Sequence, residues 1–444
     1  MPAGTHFTGP LFVGGAQIFP GFPNILGGGG NSFFVDSVTG LDSNPGTAQL
    51  PLQSIQAAYN MTVDGNGDKV ILMTGQMNVT GVVTATSSTT SVVATNLTYP
   101  AGLSAINWAM VVGCTMVQTS GSYANQAAVI TNYVPSTGTF TVATFGNAPA
   151  IGTTFTIYAV NISDYFIWPS TWTGTTPTAT STFTWAKNNT HLIGDCPPTM
   201  YNPAVRIRGY YNSGTAANTV TSMLTVTGNG CYLGNFTMYD DLATAATASA
   251  PLVMNGSANV MFNVNVQGMM GTASTGGAAA AGSRDMILSG SNNSFYNCVF
   301  GGSPYSAGTA VRRGAVANAN IEFLVQGSGA AQGPAYNTFD GCHLVCYASN
   351  AAPLFLYGAA AASLQGWTIF RNGVFDNIIA PFNGTAGTTL TKAMTLAGST
   401  QGQILLQNNP IIGCTGVSGG SGVVYTADAV PTAATSALAV VQST

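Results

Sequence analysis

Phe33-Phe34-Val35-Asp36-Ser37-Val38-Thr39-Gly40-Leu41-Asp42-Ser43-Asn44-Pro45-Gly46, followed by Pro51-Leu52-Gln53-Ser54-Ile55-Gln56-Ala57-Ala58, is the stretch whose reading decides the fold. An apolar strand runs into a cluster of Asp, Ser, Asn, Pro and Gly, which favour turns through fixed φ, positive φ or side-chain bonds to the backbone. Leu52 to Tyr59 then reads as a short amphipathic helix, able to plug the open end of a coil. Gly67-Asp68-Lys69-Val70-Ile71-Leu72-Met73 is a turn followed by an apolar strand and suits a first full rung.

From about residue 185 a repeat emerges, Φ-x-N-x-x-Φ with Φ apolar. Its copies start Leu233-Gly234-Asn235, Met261-Phe262-Asn263, Phe295-Tyr296-Asn297, Phe339-Asp340-Gly341, Phe370-Arg371-Asn372 and Leu406-Gln407-Asn408. Asn and Gly share a tolerance of φ > 0, so glycine in the asparagine slot marks a left-handed bend joining two strands of each coil. Asn235, Asn263, Asn297, Gly341, Asn372 and Asn408 are therefore expected in equivalent bends, with the Asn side chains stacked as a ladder. The flanking Φ residues point inward by period-2 alternation. The copies are 28, 34, 44, 31 and 36 residues apart, longer than one coil of roughly 20 to 30 residues. The excess goes into loops such as 271–282 and 327–333, expected to leave from one part of the coil.

The opening segment resembles that of pectate-lyase-like right-handed parallel β-helices: an aromatic-Val-Asp/Ser strand, then G-x-D-S-N-P-G-T, a proline and S/T-I-Q-x-A. The resemblance implies an all-β, right-handed, single-stranded parallel β-helix and leaves the chemistry open, because this fold carries many functions. Thr5-His6-Phe7-Thr8-Gly9-Pro10-Leu11 is similar to the T-H-F-S-G-P opening of bacteriophage head-associated proteins. That likeness implies a structural virion protein, made in the host cytoplasm and placed on the particle exterior as capsid decoration or head fibre. It also implies a homotrimer and other virion proteins as partners.

Residues 1–30 are a Gly/Pro-rich arm with the apolar anchors Phe7, Leu11, Phe12, Ile18, Phe19 and Phe22. Ordering such a segment costs entropy that only burial against a partner recovers, so it is expected to be the attachment element. Residues 31–85 carry the first coils. In 86–160, four short turn-punctuated runs around Val112, Ala128, Gly138 and Thr154 break the solenoid pattern and read as an inserted small β-module. Residues 161–415 are the coil body and 416–444 a C-terminal tail.

Charged residues make up 5% of the chain, against about 25% in ordinary proteins. The apolar fraction of 46% argues against disorder. No apolar run approaches the roughly 20 residues of a membrane-spanning helix, so no membrane insertion is expected. The first 30 residues have no basic region followed by an apolar one, so no secretory signal is read there. Nine Lys+Arg against thirteen Asp+Glu lack the basic stripe of a nucleic-acid binder. The seven cysteines show no metal-finger spacing; no metal or cofactor is expected, and Cys298 and Cys342 should be neighbours in the core.

The Φ+1 position should point outward. Down the stack it holds Phe262, Tyr296, Asp340, Arg371 and Gln407, a set of residue types suited to a glycan-facing column. Against this stands a plain ion pair between Asp340 and Arg371. Glycoside hydrolysis normally needs two carboxyl groups at a set separation. The acid candidates Asp195, Asp240, Asp241, Asp285, Asp340 and Asp376 accompany a single glutamate, Glu322, and no working pair is indicated. Asp64-Gly65-Asn66-Gly67-Asp68 imitates the start of a calcium loop but lacks its sixth-position Gly and twelfth-position Glu, so it reads as a turn. The sequence thus favours a non-enzymatic exterior protein with host-surface glycan binding. A tailspike that cleaves host polysaccharide by hydrolysis or elimination is the alternative. A cellular adhesin would need an export signal.

Overall fold

The computed structural model describes residues 11–13, 16–18, 30–37, 39–74, 76–99, 106, 111, 114–161, 163–166, 182–196, 205–208, 222–239, 250–267, 282–301, 318–325, 333–348, 351–358, 364–379, 387–396, 402–417, 423–426 and 441–443. The chain is a parallel β-helix with three faces. Face A stacks Ser32–Val35, Lys69–Leu72, His191–Gly194, the first halves of Tyr232–Tyr239 and Val260–Gln267, then Ser294–Tyr296, Asn337–Asp340, Gly366–Arg371, Gly402–Gln407 and Val423–Thr426. Face B stacks Ser163–Phe166, Val205–Arg208, the second halves of the two long strands, then Val299–Gly301, His343–Cys346, Val374–Asn377 and Asn409–Ile412. Face C stacks Phe183–Trp185, Leu224–Val226, Leu252–Met254, Arg284–Leu288, Ala319–Phe323, Leu354–Gly358 and Met394–Leu396. The chain passes C, A, B in each coil.

Alternation along each short strand sends one side chain in and the next out. The inward positions fuse into one core. Leu233, Met261, Phe295, Phe339, Phe370 and Leu406 fill it from face A, and Leu224, Leu252, Met286, Ile321, Leu356 and Met394 from face C. Because parallel coils place like positions on one another, the rings of Phe295, Phe339 and Phe370 stack face to face at 4.3 Å.

The opening motif works as a lid. Asp42 Oδ1 accepts from the N–H groups of Gln53 and Ser54, and its Oδ2 accepts from Ser54 Oγ. Ser54 in turn caps the helix Ile55–Met61 by accepting from Ala57 N. The helix buries Ile55, Ala58 and Tyr59 against the end of the core, with Tyr59 on Trp185 (4.8 Å) and Phe183 (5.4 Å). Lys187 Nζ donates to Tyr59 O and Thr62 O at the helix C-terminus, where a cation is favoured. Gly40 is required here, since a Cβ would lie 2.1 Å from Leu52 O.

Several boundaries differ from the sequence reading. The antiparallel module begins at Gln76–Val82, before residue 86, because that strand pairs with the module's last strand, Thr154–Asn161. It has its own core of Val79, Val92, Ile130, Phe140, Phe155 and others. It enters after Lys69–Leu72 on face A and returns at Ser163–Phe166 on face B, and so occupies the corner that single residues turn in later coils. The tail is not separate: Val423–Thr426 continues face A, and Val441–Ser443 closes against Asn409–Ile412 in antiparallel sense. In the arm, Leu11–Val13 and Ala16–Ile18 pair as a two-stranded hairpin that the sequence reading did not contain.

The insertions do not leave from one part of the coil. Residues 268–281 and 302–317 lie between faces B and C, whereas 326–332 and 359–363 lie between C and A. The physical reason is the third corner of the later coils: from Asn235 onward one left-handed residue turns A into B, which leaves added length to the other two corners.

Candidate functional site

The A–B corner is turned by Asn235 (φ 59°), Asn263 (52°), Asn297 (51°), Gly341 (66°), Asn372 (54°) and Asn408 (53°), all in the left-handed region. Asn263 Nδ2 donates to Asn235 Oδ1 (3.4 Å) and Asn408 Nδ2 to Asn372 Oδ1 (3.2 Å). Glycine interrupts this outer ladder at 341, and Asn297 Oδ1 takes up the space there, 2.4 Å from where a Cβ would lie.

One residue before each bend, Gly234, Phe262, Tyr296, Asp340, Arg371 and Gln407 are successive register partners. They form one outward column along face A, spaced by the inter-strand distance of about 4.8 Å. Arg371 Nε donates to Asp340 Oδ2 at 2.8 Å, and Asn372 Nδ2 donates to Asp340 Oδ1 at 3.0 Å. Both oxygens of Asp340 are thus engaged by the next coil.

A second asparagine ladder lies inside the coil, at residues the sequence reading did not single out. Cys231 N donates to Asn259 Oδ1, Asn259 N to Asn293 Oδ1, and Asn293 N to Asn337 Oδ1. Each amide also donates along the stack: Asn259 to Gly228 O, Asn293 to Gly256 O, Asn337 to Gly290 O. The glycines admit this approach, for a Cβ on Gly290 would lie 1.9 Å from Gly256 O. These asparagines sit four residues before Asn263, Asn297 and Gly341. That fixed offset was the signal available in the sequence.

A buried polar group also lies on face C. Arg284 Nε is 3.1 Å from Glu322 Oε2, and its guanidinium covers the Tyr357 ring at 4.6 Å. Beside it, Asn320 Nδ2 donates to Asp285 Oδ2 and to Phe300 O and Val345 O. Burial raises the Glu322 carboxyl above its ordinary value, and Arg284 opposes this only in part. No local pattern points to this grouping, since 284–285, 320–322 and 357 meet only through the stacking register.

The other acids and histidines are dispersed. Asp195 accepts from Thr74 N and Oγ1, and burial raises its carboxyl. Burial also raises Asp376, with nearby His343 pulling it down. Asp68 is buried and accepts from Asn31 N, Val63 N and Asn66 Nδ2, so the calcium-like stretch is a turn anchor. His191 is buried and its Nδ1 accepts from Tyr232 N; burial first, then Lys69, pushes it down to about 4. The Cys342 thiol is raised well above its ordinary value by burial, with Cys298 beside it. Asp240, Asp241, His6, Phe7, Phe19 and Phe22 lie outside the described residues. Leu11, Phe12 and Ile18 lie on the arm hairpin. No helix among the described residues is long and apolar enough to cross a membrane.

No family model and no curated protein matches the chain. Among solved structures it is similar to a rhamnogalacturonan lyase (14% identity, 86% of this chain and 74% of that one, TM-score 0.38). It is also similar to the Gp54 tailspike of Acinetobacter baumannii bacteriophage AP22 in complex with capsular saccharide (8%, 91% and 69%, TM-score 0.26). A third is XylC in complex with xylose (8%, 85% and 69%, TM-score 0.27). At such identities and scores these likenesses carry no conclusion about chemistry.

Proposed function

We propose that this chain is a structural protein on the exterior of a bacteriophage particle, built as a neutral β-helical body that binds host-surface glycan along face A without cleaving it. The observation that carries the binding half is the in-register column Phe262–Tyr296–Asp340–Arg371–Gln407. It combines aromatic, charged and amide groups in one outward row, while Asp340 is committed to Arg371 and Asn372. The virion half rests on the likeness of residues 5–11 to phage head-associated proteins, and capsid decoration or head fibre is the position it favours. The arm of residues 1–30 docks on another virion protein, and the body assembles as a homotrimer.

The test is incubation of the purified protein with isolated host surface polysaccharide. Retention on the polysaccharide with no new reducing ends or unsaturated sugars is expected, and product formation would overturn the reading. Deleting residues 2–30 should leave a folded body that no longer joins the particle; continued incorporation would refute the arm's role. A trimer mass is expected by light scattering.

A second reading, the polysaccharide-cleaving tailspike, is favoured by the Glu322–Arg284–Asp285 grouping. A carboxyl raised by burial is the form a general acid needs. Under it, any product formed would disappear in Glu322→Gln and persist in Asp340→Asn.

A further inference from the structure

We propose that the tip of the inserted module holds a binding site for one neutral sugar ring, separate from the face A column. A cleft of about 330 Å³ opens there, lined by Gln118, Ser120, Gly121, Tyr123, Ile151 and Thr153 among others. That volume lies at the lower end of the roughly 300–1,000 Å³ typical of small-ligand sites.

Gln118 makes the cleft more than a surface dent. It ends the strand Thr115–Gln118 on the side that faces the module core, and it is 2% exposed. Its backbone is fully used, with N–H donating to Gln126 O and C=O accepting from Asn125 N. Yet its side-chain Nε2 has no hydrogen-bond partner among the described residues. A buried donor left unpaired is costly and rare, and it needs an explanation. Gln118 lines the cleft, so a turn of its amide toward the opening would let a ligand hydroxyl supply the acceptor.

The walls are fixed by the fold. Ser120 Oγ accepts from Thr154 N, and the hydroxyls of Thr119 and Thr154 meet at 2.8 Å. Gly121 (φ 84°) turns the chain back so closely that a Cβ would lie 3.1 Å from Thr153 Oγ1. At the rim, Tyr123 is 44% and Ile151 65% exposed, offering an aromatic ring and an apolar edge. None of the lining residues is charged. Amide, hydroxyls and an exposed aromatic in a neutral cleft match the two sides of a sugar ring, its hydroxyl edge and its C–H face. An anionic ligand would find no counter-charge.

Saturation-transfer NMR on the full-length protein tests this, with glucose, galactose, N-acetylglucosamine and rhamnose as neutral probes and galacturonate as the anionic one. Transfer to at least one neutral sugar, and weaker transfer to galacturonate, is expected. Gln118→Leu should lower the affinity about fivefold, the worth of one hydrogen bond. Tyr123→Ala, at the exposed rim, should lower it without risk to folding. The proposal is overturned if no neutral sugar shows transfer at millimolar concentration, or if transfer survives unchanged in Tyr123→Ala. It is also overturned if Phe262→Ala on face A abolishes transfer, because the sugar would then sit on the column.

Discussion

The coil body and the inserted module are both β-structures with neutral surfaces, but they hold their strands in register by different means. In the body, each position lies on its equivalent in the next coil. Phenylalanine therefore stacks on phenylalanine (295, 339, 370) and asparagine bonds asparagine (259, 293, 337). In the module, partners come from neighbouring antiparallel strands or from across the module core, and differ in kind. Tyr133 stacks on Phe140 at 4.2 Å, Phe140 meets Phe155 edge-on, and Thr119 meets Thr154. Stacked coils thus write their contacts into the sequence as a repeat, whereas the antiparallel module writes only local alternation.

The largest expected effect separates the two cores. Phe339→Ala removes the middle of a three-ring stack and should cost about 3–5 kcal/mol of body stability. Phe140→Ala should cost a similar amount but unfold only the module. Calorimetry of the two variants should show different transitions shifting, and a single shared transition would erase the distinction.

Next is a pH effect confined to the body. His191 is held neutral with its folded value near 4, below its ordinary 6.5. In that window the unfolded state binds more protons, so its contribution is present above pH 6.5 and is lost as pH falls toward 4. The loss amounts to about 3 kcal/mol. Burial raises Asp195, Glu322 and Asp376, which act in the opposite sense. The measurement is therefore the difference in denaturation free energy between the protein and His191→Gln, which should shrink as pH falls through this range.

The two asparagine ladders provide a finer comparison. Asn293→Ala removes an acceptor for Asn259 N and a donor for Gly256 O inside the coil, and should cost about 2–3 kcal/mol. Asn297→Ala, at the outer bend, forces alanine into φ near 51° and should cost about 1 kcal/mol. Equal losses in urea titrations would mean that the inner ladder adds nothing beyond turn geometry. The smallest effect belongs to the column: Asp340→Asn should change stability by less than about 1 kcal/mol, because the pair with Arg371 is partly exposed.

Much of the body is legible in the sequence alone. The Φ-x-N-x-x-Φ spacing located the left-handed bends, and the glycine at 341 marked the same slot because Asn and Gly share one conformational allowance. The opening motif located the capping helix, since Asp42, Ser54 and the apolar residues after them act over a short span. The inner ladder was as regular as the outer one, but an asparagine in sequence does not declare which side of the strand it takes. The module's first strand was missed because its partner lies beyond residue 150, and antiparallel pairing at that range leaves no local mark.

By itself, then, the sequence determined the coil and its bends, because each rests on backbone preferences of single residues and on a period that stacking repeats. Only the tertiary structure decided which side chains meet across coils. It joined Arg284 to Glu322 and Tyr357, tied Asp340 to Arg371, buried His191, and left Gln118 Nε2 with no partner among the described residues beside a cleft. The reason is that coil lengths vary from 28 to 44 residues, so contacts about 4.8 Å apart in space sit at no constant distance along the chain.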